Sequence, residues 1–246
     1  MNIVLPDTIT SLTASSNDPN LPALNLLHES PGVYWRAASD AVTSATVEFE
    51  AGVTAASAVV LHAVQAGTVV LEQWNGSAWA TPAGLSSEQI VDAYTGSLAS
   101  WYFRFTALTA GTRRMRLTVP QLAAGKIIQA GCLVFGEEIT VTGVQYPLTE
   151  GLVDSSIALQ MSDGTMNYRP RARWRQFSGT VLTDRAVGVP ALLRRVARRF
   201  GSIPLAAHLV PDAGDEWFVW GRFGMPQAAH AWPTLGQVQF TIDEVL

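Results

Sequence analysis

Residues 69–79, VVLEQWNGSAW, decide the fold class of this 246-residue chain. Segments typical of β-strands flank Asn75-Gly76, and both residues of this dipeptide tolerate the positive φ angles that tight hairpin turns require. An Asn-Gly pair in such a setting is the strongest short-range signal for a β-hairpin. The stretch therefore predicts two antiparallel strands, with Trp74 and Trp79 packed against each other as a cross-strand pair.

Further strand-like segments follow on both sides of this hairpin. They are residues 45–50, 58–64, 101–105, 114–119 and 127–135. Aromatic and polar residues alternate in 101–105, so this strand is expected to bury one face only. Residues 88–93 are expected to form a single helical turn or a loop. Short strands at regular spacing, with turn residues between them, predict an antiparallel sandwich for residues 1 to about 140.

The sequence after Gly136-Glu137-Glu138 predicts a second domain, which gives domains 1–138 and 139–246. Its predicted strands are residues 139–146, 156–161, 168–183, 205–210, 217–223 and 237–245. An amphipathic helix is predicted at about 189–200, because apolar residues recur there at steps of three and four, with Pro190 near the start and Gly201 as the stop. The second domain is therefore expected to be a β-sheet domain with one packed helix.

Two groups of arginines are the candidate interface of this second domain. The first group is spaced by two, which would place all its members on one face of a strand: Arg169, Arg171, Arg173 and Arg175. The second group occupies the polar side of the predicted helix: Arg194, Arg195, Arg198 and Arg199. A subunit interface is the favoured interpretation, and pairing of the strand group with carboxylates such as Asp184 or Glu150 is the alternative. Nucleic-acid binding is disfavoured, because residues 141–246 carry 10 basic and 9 acidic side chains.

The overall composition indicates a protein that buries much of its surface in an assembly. Lys126 is the one lysine among 16 basic residues, and 48% of the chain is hydrophobic; arginine suits interfaces, whereas lysine is the usual solubilising residue. A GC-rich source genome would produce the same bias. No apolar run reaches the roughly 18 residues that cross a bilayer, and residues 1–7 lack the features of a secretory signal. Cys132 is expected to be a buried thiol in a protein made in a reducing compartment.

Catalytic and metal-binding patterns are missing from the sequence. The four histidines are scattered, without a pair at the spacing of a zinc site. The nucleophile elbow, the phosphate-binding loop and the dinucleotide-binding motif are also missing. Asp212, Asp215 and Glu216 are interpreted as a solvated turn rather than as a calcium or glycosidase site. We therefore expect no enzymatic activity and no cofactor.

The chain contains eight tryptophans, and they have two interpretations. Trp35 begins a predicted strand and is expected in the core. The candidates for stacking on a sugar from exposed loops are Trp79, Tyr94 and Trp101. Packing in the core or across the hairpin is the favoured interpretation of Trp74 and Trp79.

The order of several motifs resembles that of proteins from the tails of bacteriophages. In the N-terminal half these motifs are Asn25-Leu26-Leu27, Trp35-Arg36, the hairpin at 74–79 and a closing strand that ends in Gly136-Glu137. They resemble the discoidin-like (galactose-binding-like) jelly-roll module of phage minor tail proteins. The second half is similar to the sandwich of siphophage distal tail proteins, through its arginine-rich strand, its helix with Leu192-Leu193, Trp220-Gly221 and a last strand that ends in Ile242-Asp243-Glu244-Val245.

This resemblance implies a mainly β fold, in which an antiparallel jelly-roll sandwich precedes a second β-sandwich-like domain with one helix. It implies a structural protein of the virion, made in the host cytoplasm and assembled as a ring of its own copies at the tail tip. The ring would join the tail tube to hub or fibre proteins, without nucleic acid or membrane insertion. The alternative is a carbohydrate- or receptor-binding module of the tail tip that contacts a glycan of the host surface.

Overall fold

The computed structural model describes residues 1–52, 56–91, 98–106, 108, 113–142, 144–161, 165–169, 171, 173–184, 196, 203–210, 217–224, 227–229 and 235–245. The chain divides into two compact units. The first comprises Met1–Thr140 and Leu205–Trp220, and the second comprises Val141–Pro204 and Gly221–Leu246. Within the described ranges, no helix has the length and apolar character needed to span a membrane.

The described residues lie mainly in β-strands, and a short 3-10 helix is present at Ala23–Leu27. The strands before residue 141 are β1 (Asn2–Pro6), β2 (Ile9–Ala14), β3 (Trp35–Arg36), β4 (Ser44–Ala51), β5 (Ala58–Val64), β6 (Val70–Trp74), β7 (Trp79–Ala80), β8 (Ser86–Val91), β9 (Ala99–Arg104), β10 (Arg114–Pro120), β11 (Gln129–Ala130) and β12 (Cys132–Thr140). The later strands are β13 (Val144–Asp154), β14 (Ile157–Gln160), β15 (Met166–Arg169), β16 (Arg173–Asp184), β17 (Leu205–His208), β18 (Phe218–Phe223), β19 (Gln227–Ala229) and β20 (Leu235–Glu244). The fold is mainly β, as predicted.

The first unit is an antiparallel β-sandwich of the jelly-roll class. One sheet has the strand order β2-β4-β10-β6-β7, and the other has the order β17-β1-β12-β5-β9-β8. Side chains from both sheets form one core, in which Phe49 and Phe135 meet edge-on with ring centroids 5.7 Å apart. Trp35 is buried in this core, as predicted, and its indole N–H donates to Ser16 O and Asn17 Oδ1, both at 3.1 Å. The buried ring therefore leaves no donor unpaired.

Strands β5, β9 and β12 are buried on both of their faces. Val60, Tyr102 and Val134 alternate with residues of the sandwich core, yet each is at most 5% exposed. Residues of β18 that belong to the same unit cover this second face: the ring of Phe218 lies 6.5 Å from Tyr102, and Phe218 and Trp220 both pack on His62. The prediction that residues 101–105 bury one face only is therefore wrong, because a second apolar layer covers the other face.

The close approach of β1 to β12 requires glycine at position 136. A Cβ atom there would lie 1.7 Å from Leu5 O, a contact that only a residue without a side chain avoids. Beside it, the Asp7 N–H donates to Phe135 O at 2.8 Å. The Gly136-Glu137 motif therefore has a packing explanation.

The observed strands overrule two local predictions. Residues 86–91 form β8, which pairs with β9 from Ser86↔Arg104 to Val91↔Ala99, so the prediction of a helical turn or loop is wrong. An edge position beside a buried strand decides the conformation of this polar segment. The prediction of one strand at 139–146 is also wrong, because β12 ends at Thr140 and β13 begins at Val144.

The N-terminal segment of the first unit ends at Thr140, and the unit also includes a segment that the sequence assigns to the second domain. Strand β17 pairs with the edge of β1, from Asn2↔His208 to Val4↔Ala206, and all its residues are buried. Because β17 pairs with the otherwise unpaired edge of β1, Leu205–Trp220 belong to the first unit.

The second unit is built on a sheet of order β13-β16-β20, and β20 also pairs with β19 and with Gly221–Phe223 of β18. Its described core residues include Phe177, Val181, Phe223, Phe240 and Ile242. Strands β14 and β15 form a separate two-stranded sheet. Of the predicted helix at about 189–200, only Val196 is described, so the rest of this prediction lies outside the described residues. The mainly β fold class does not depend on the helix.

Candidate functional site

The β14–β15 hairpin of the second unit exposes apolar side chains to solvent. Its register runs from Ile157↔Arg169 to Gln160↔Met166. The exposed fractions of its larger apolar residues are 44% for Leu159, 62% for Met166 and 52% for Tyr168. Because neighbouring side chains on a strand alternate between faces, Leu159 lies on one face and the other two lie on the opposite face. Apolar side chains therefore reach solvent on both faces, and Met166 and Tyr168 are neighbours on one of them.

Polar contacts attach this hairpin to the strands that flank it in sequence. Tyr168 Oη lies 3.4 Å from Asp154 Oδ2 at the end of β13, and Arg173 Nε at the start of β16 lies 2.9 Å from the same oxygen. The Arg171 N–H donates to Ser156 Oγ at 3.0 Å. Hydrogen bonds from Ser156, together with the charge of Arg173, hold the pKa of Asp154 below its usual value of 3.8. These contacts keep the hairpin beside the ends of β13 and β16.

The four arginines spaced by two do not lie on one strand. Arg169 ends β15, Arg171 follows it, and β16 begins at Arg173, so the prediction of one strand over 168–183 is wrong. Pro170 lies between the strands in sequence, and proline has no N–H to donate to a ladder. Arg169 and Arg171 are exposed, and neither has an ion-pair partner among the residues that the structure describes. They are the members of the group whose charge is open to another chain.

Arg175 is paired within its own unit. Its Nε and Nη2 donate to Glu244 Oε1 at 2.9 and 2.7 Å, and its backbone N–H donates to Glu244 Oε2 at 3.0 Å. The carboxylate of Glu150 lies 3.9 Å from Nη1. Only 14% of the Arg175 side chain is exposed. The alternative interpretation, pairing with carboxylates such as Glu150, therefore holds for Arg175. Its ion pairs link β16 to β13 and to β20.

The candidates for sugar stacking are not brought together into one site. Trp101 is 5% exposed and belongs to the sandwich core, so its assignment to an exposed loop is wrong. Tyr94 lies outside the described residues. Trp79 packs edge-on against Trp74 with ring centroids 5.5 Å apart, which confirms the predicted cross-strand pair. The Arg116 guanidinium lies over the Trp79 ring at 4.5 Å, and a cation therefore occupies a face on which a sugar would stack.

The other residues that the sequence singles out are either buried as predicted or outside the described residues. Cys132 is buried, as predicted; its thiol donates to His28 O at 3.2 Å, and burial raises its pKa to about 12. The helix arginines and the acidic turn lie outside the described residues: Arg194, Arg195, Arg198, Arg199, Asp212, Asp215 and Glu216. Over the described ranges, no three His, Cys, Asp or Glu residues are grouped so that they could hold a metal ion.

Sequence reasoning misses the exposed hairpin, although it predicts a strand at 156–161. It assigns neither β15 nor the exposure of Met166. The signal that could have found the partner strand is Asp163-Gly164, a hairpin dipeptide that stands between the two segments in the sequence.

No protein-family model matches the chain, and no curated protein sequence matches it either. One solved structure that matches is a pectin-binding carbohydrate-binding module, at 14% identity, with 52% of this chain and 91% of the other covered and a TM-score of 0.37. A second is the Streptococcus pneumoniae β-galactosidase BgaA, at 13% identity, with 55% of this chain and 98% of the other covered and a TM-score of 0.41. A third is reduced XRCC1 bound to the DNA polymerase β catalytic domain, at 14% identity, with 55% of this chain and 98% of the other covered and a TM-score of 0.40. The structures that it resembles thus include carbohydrate-binding modules. TM-scores this low carry no argument about this chain, and its fold class rests on its own strand pairing.

Proposed function

We propose that the chain is a structural, non-enzymatic component of a phage tail tip, which assembles as a ring of its own copies. The observation that supports this proposal best is the β14–β15 hairpin, which presents Leu159, Met166 and Tyr168 to solvent on its two faces. A two-stranded hairpin is marginally stable by itself, so a surface that covers these residues would stabilise it. In a ring, each copy offers one surface to a different surface of the next copy.

The charges near the hairpin support contact with a second copy of the chain. Arg169 and Arg171 are exposed beside the apolar residues, and arginine is enriched at protein interfaces. Residues 1–140 carry 11 acidic and 6 basic side chains, so a neighbouring copy offers an excess of carboxylates. Arginine binds carboxylates through a planar fork of donors. Tail-tube proteins and hub or fibre proteins are the further partners of the proposed ring.

The alternative, a carbohydrate- or receptor-binding module, finds less support in the geometry of the first unit. Trp101 is in the core and Trp79 is covered by Arg116. Binding of host glycans that is lost in Trp79→Ala would favour this alternative over the ring.

The experiment that tests the location is immuno-electron microscopy of virions from a lysate in which mass spectrometry detects this chain. An antibody against the purified chain is expected to label the end of the tail that is distal to the capsid. The control is the same antibody after adsorption on the purified chain. Labelling confined to the capsid, or recovery of the chain only outside intact particles, would contradict the proposal.

A further inference from the structure

A polar groove opens in the second unit where β13 separates from β16. Its volume is about 400 Å³, and its polar lining residues are Thr149, Ser178, Thr180, Gln239 and Thr241. The register of β13 shifts between Gln145, which lies opposite Thr180, and Thr149, which lies opposite Ser178. Residues 146–148 of β13 therefore bulge opposite Gly179, and this bulge opens the groove.

The polar side chains of the groove are arranged in rows by the strand register. Thr149, Ser178 and Thr241 form one row across three neighbouring strands, and Thr180 and Gln239 form the next row. Residues that are paired across a ladder point to the same face of the sheet. Four hydroxyl groups and one primary amide therefore converge on one face. No side chain of these five makes a hydrogen bond within the described part of the chain, so their donors and acceptors are open to a ligand.

Two glycines are required beside this groove. A Cβ atom at Gly224 would lie 2.2 Å from Thr241 Oγ1, so a side chain there would collide with that hydroxyl. A Cβ atom at Gly179 would lie 2.4 Å from Leu148 Cδ2, so glycine there lets Leu148 pack beside β16 on the face opposite Ser178 and Thr180.

From these observations we infer that the groove binds a neutral saccharide. None of the lining side chains is ionisable, so the groove offers no charge to pair with an anionic or cationic ligand. Hydroxyl and amide groups both donate and accept hydrogen bonds, and the hydroxyl groups of a sugar do the same. The volume lies within the range of about 300–1,000 Å³ that is usual for small-molecule sites. This site is distinct from the Trp79 candidate in the first unit, and it does not depend on assembly into a ring.

Saturation-transfer difference NMR on the full chain tests this inference. The probes are maltose, cellobiose, lactose and N,N′-diacetylchitobiose, with digalacturonic acid as the charged comparison. At least one neutral disaccharide is expected to bind, and digalacturonic acid is not. The double variant Thr180→Val/Thr241→Val keeps the shape of both side chains and removes two hydroxyl groups, so its Kd is expected to rise about tenfold or more.

Matched variants separate a lost contact from a lost fold. Thr180→Ser/Thr241→Ser keeps both hydroxyl groups and is expected to retain binding. Thr118→Val on β10 of the first unit is the control for the same substitution elsewhere and is expected to change nothing. If the double valine variant unfolds, Ser178→Ala replaces it with the same expected loss of affinity.

Four results would overturn the inference. They are no binding of any neutral disaccharide, binding that survives removal of the hydroxyl groups, binding lost in Trp79→Ala but kept in the valine variant, or a changed oligomeric state of the valine variant in sedimentation. The last result would mean that a second copy of the chain, and not a saccharide, covers this face.

Discussion

The indole of Trp220 stacks on the imidazole of His62, with ring centroids 5.7 Å apart and ring planes 24° apart. Its N–H also donates to Glu29 O at 3.0 Å. These contacts join a residue from late in the chain to residues from its first half. Together with Phe218, this residue buries the second face of β5 and β9. Residues 205–220 are therefore part of the fold of the first unit.

The variant Trp220→Ala is expected to lower the free energy of unfolding of the first unit by about 3–5 kcal/mol, because it removes a buried ring and leaves a cavity. Urea denaturation followed by circular dichroism measures this loss. Trp79→Ala is the matched control: its ring is half-buried on a hairpin, and the loss of its aromatic pair is expected to cost about 1 kcal/mol. Equal losses in the two variants would contradict the covering role of Trp220.

Asp18 is expected to make stability depend on pH in the acid range. A hydrogen bond from Arg36, and a second from the Asn20 N–H at 2.9 Å, hold the pKa of Asp18 below its usual value of 3.8. A carboxyl group with a lowered pKa stabilises the folded state above the pKa that it has in the unfolded chain, and this contribution is lost as the pH falls through its folded pKa. The Tm of the wild type is therefore expected to exceed that of Asp18→Asn by a constant amount from about pH 5 to pH 8 and by less below about pH 4.

Scanning calorimetry of the two proteins across this pH range is the measurement. A difference in Tm that grows as the pH falls would contradict the direction of the shift.

The variant Glu244→Gln is expected to destabilise the second unit by about 2 kcal/mol, because it removes the charge from a nearly buried pair with Arg175. Thermal unfolding compared with that of Asp154→Asn tests this expectation. Asp154 pairs with Arg173, whose side chain is 54% exposed, and solvent weakens such a pair. A loss in Asp154→Asn as large as that in Glu244→Gln would show that burial does not set the strength of these pairs.

Cys132 is expected to be unreactive in the folded protein at pH 8. Burial raises its pKa to about 12, and the thiolate is the form that attacks disulfide reagents. Labelling with a coloured aromatic disulfide should be slow in buffer and complete in guanidinium chloride. Rapid labelling in buffer would mean that the thiol is accessible without unfolding.

Local patterns predict the elements whose conformation is decided by a few neighbouring residues. The hairpin at Asn75-Gly76 forms as expected and brings Trp74 against Trp79, although Gly76 alone of this dipeptide has a positive φ, of +99°. The burial of Trp35 also follows from its position at a strand entry. Such features need only the chemistry of adjacent residues.

The features that sequence reasoning misses depend on partners distant in sequence. Residues 86–91 form a strand because β9 lies beside them, and Tyr102 is buried because Phe218 covers it. The arginines that spacing alone would place on one strand are divided between β15 and β16, and Pro170 stands between these strands in the sequence. The exposure of Met166 follows from what does not pack on it, and a local pattern cannot show that.

Copies of this chain are expected to associate through the β14–β15 hairpin, and sedimentation velocity of the wild type and Met166→Asp tests this association most directly. Leu122→Asp is the matched control, because Leu122 is an apolar residue of the first unit that is also half exposed. The wild type and Leu122→Asp are expected to sediment as the same oligomer, and Met166→Asp as a monomer, because a charge at an apolar contact is costly to bury. A wild type that remains monomeric at every concentration, or a Met166→Asp that sediments like the wild type, would contradict the account.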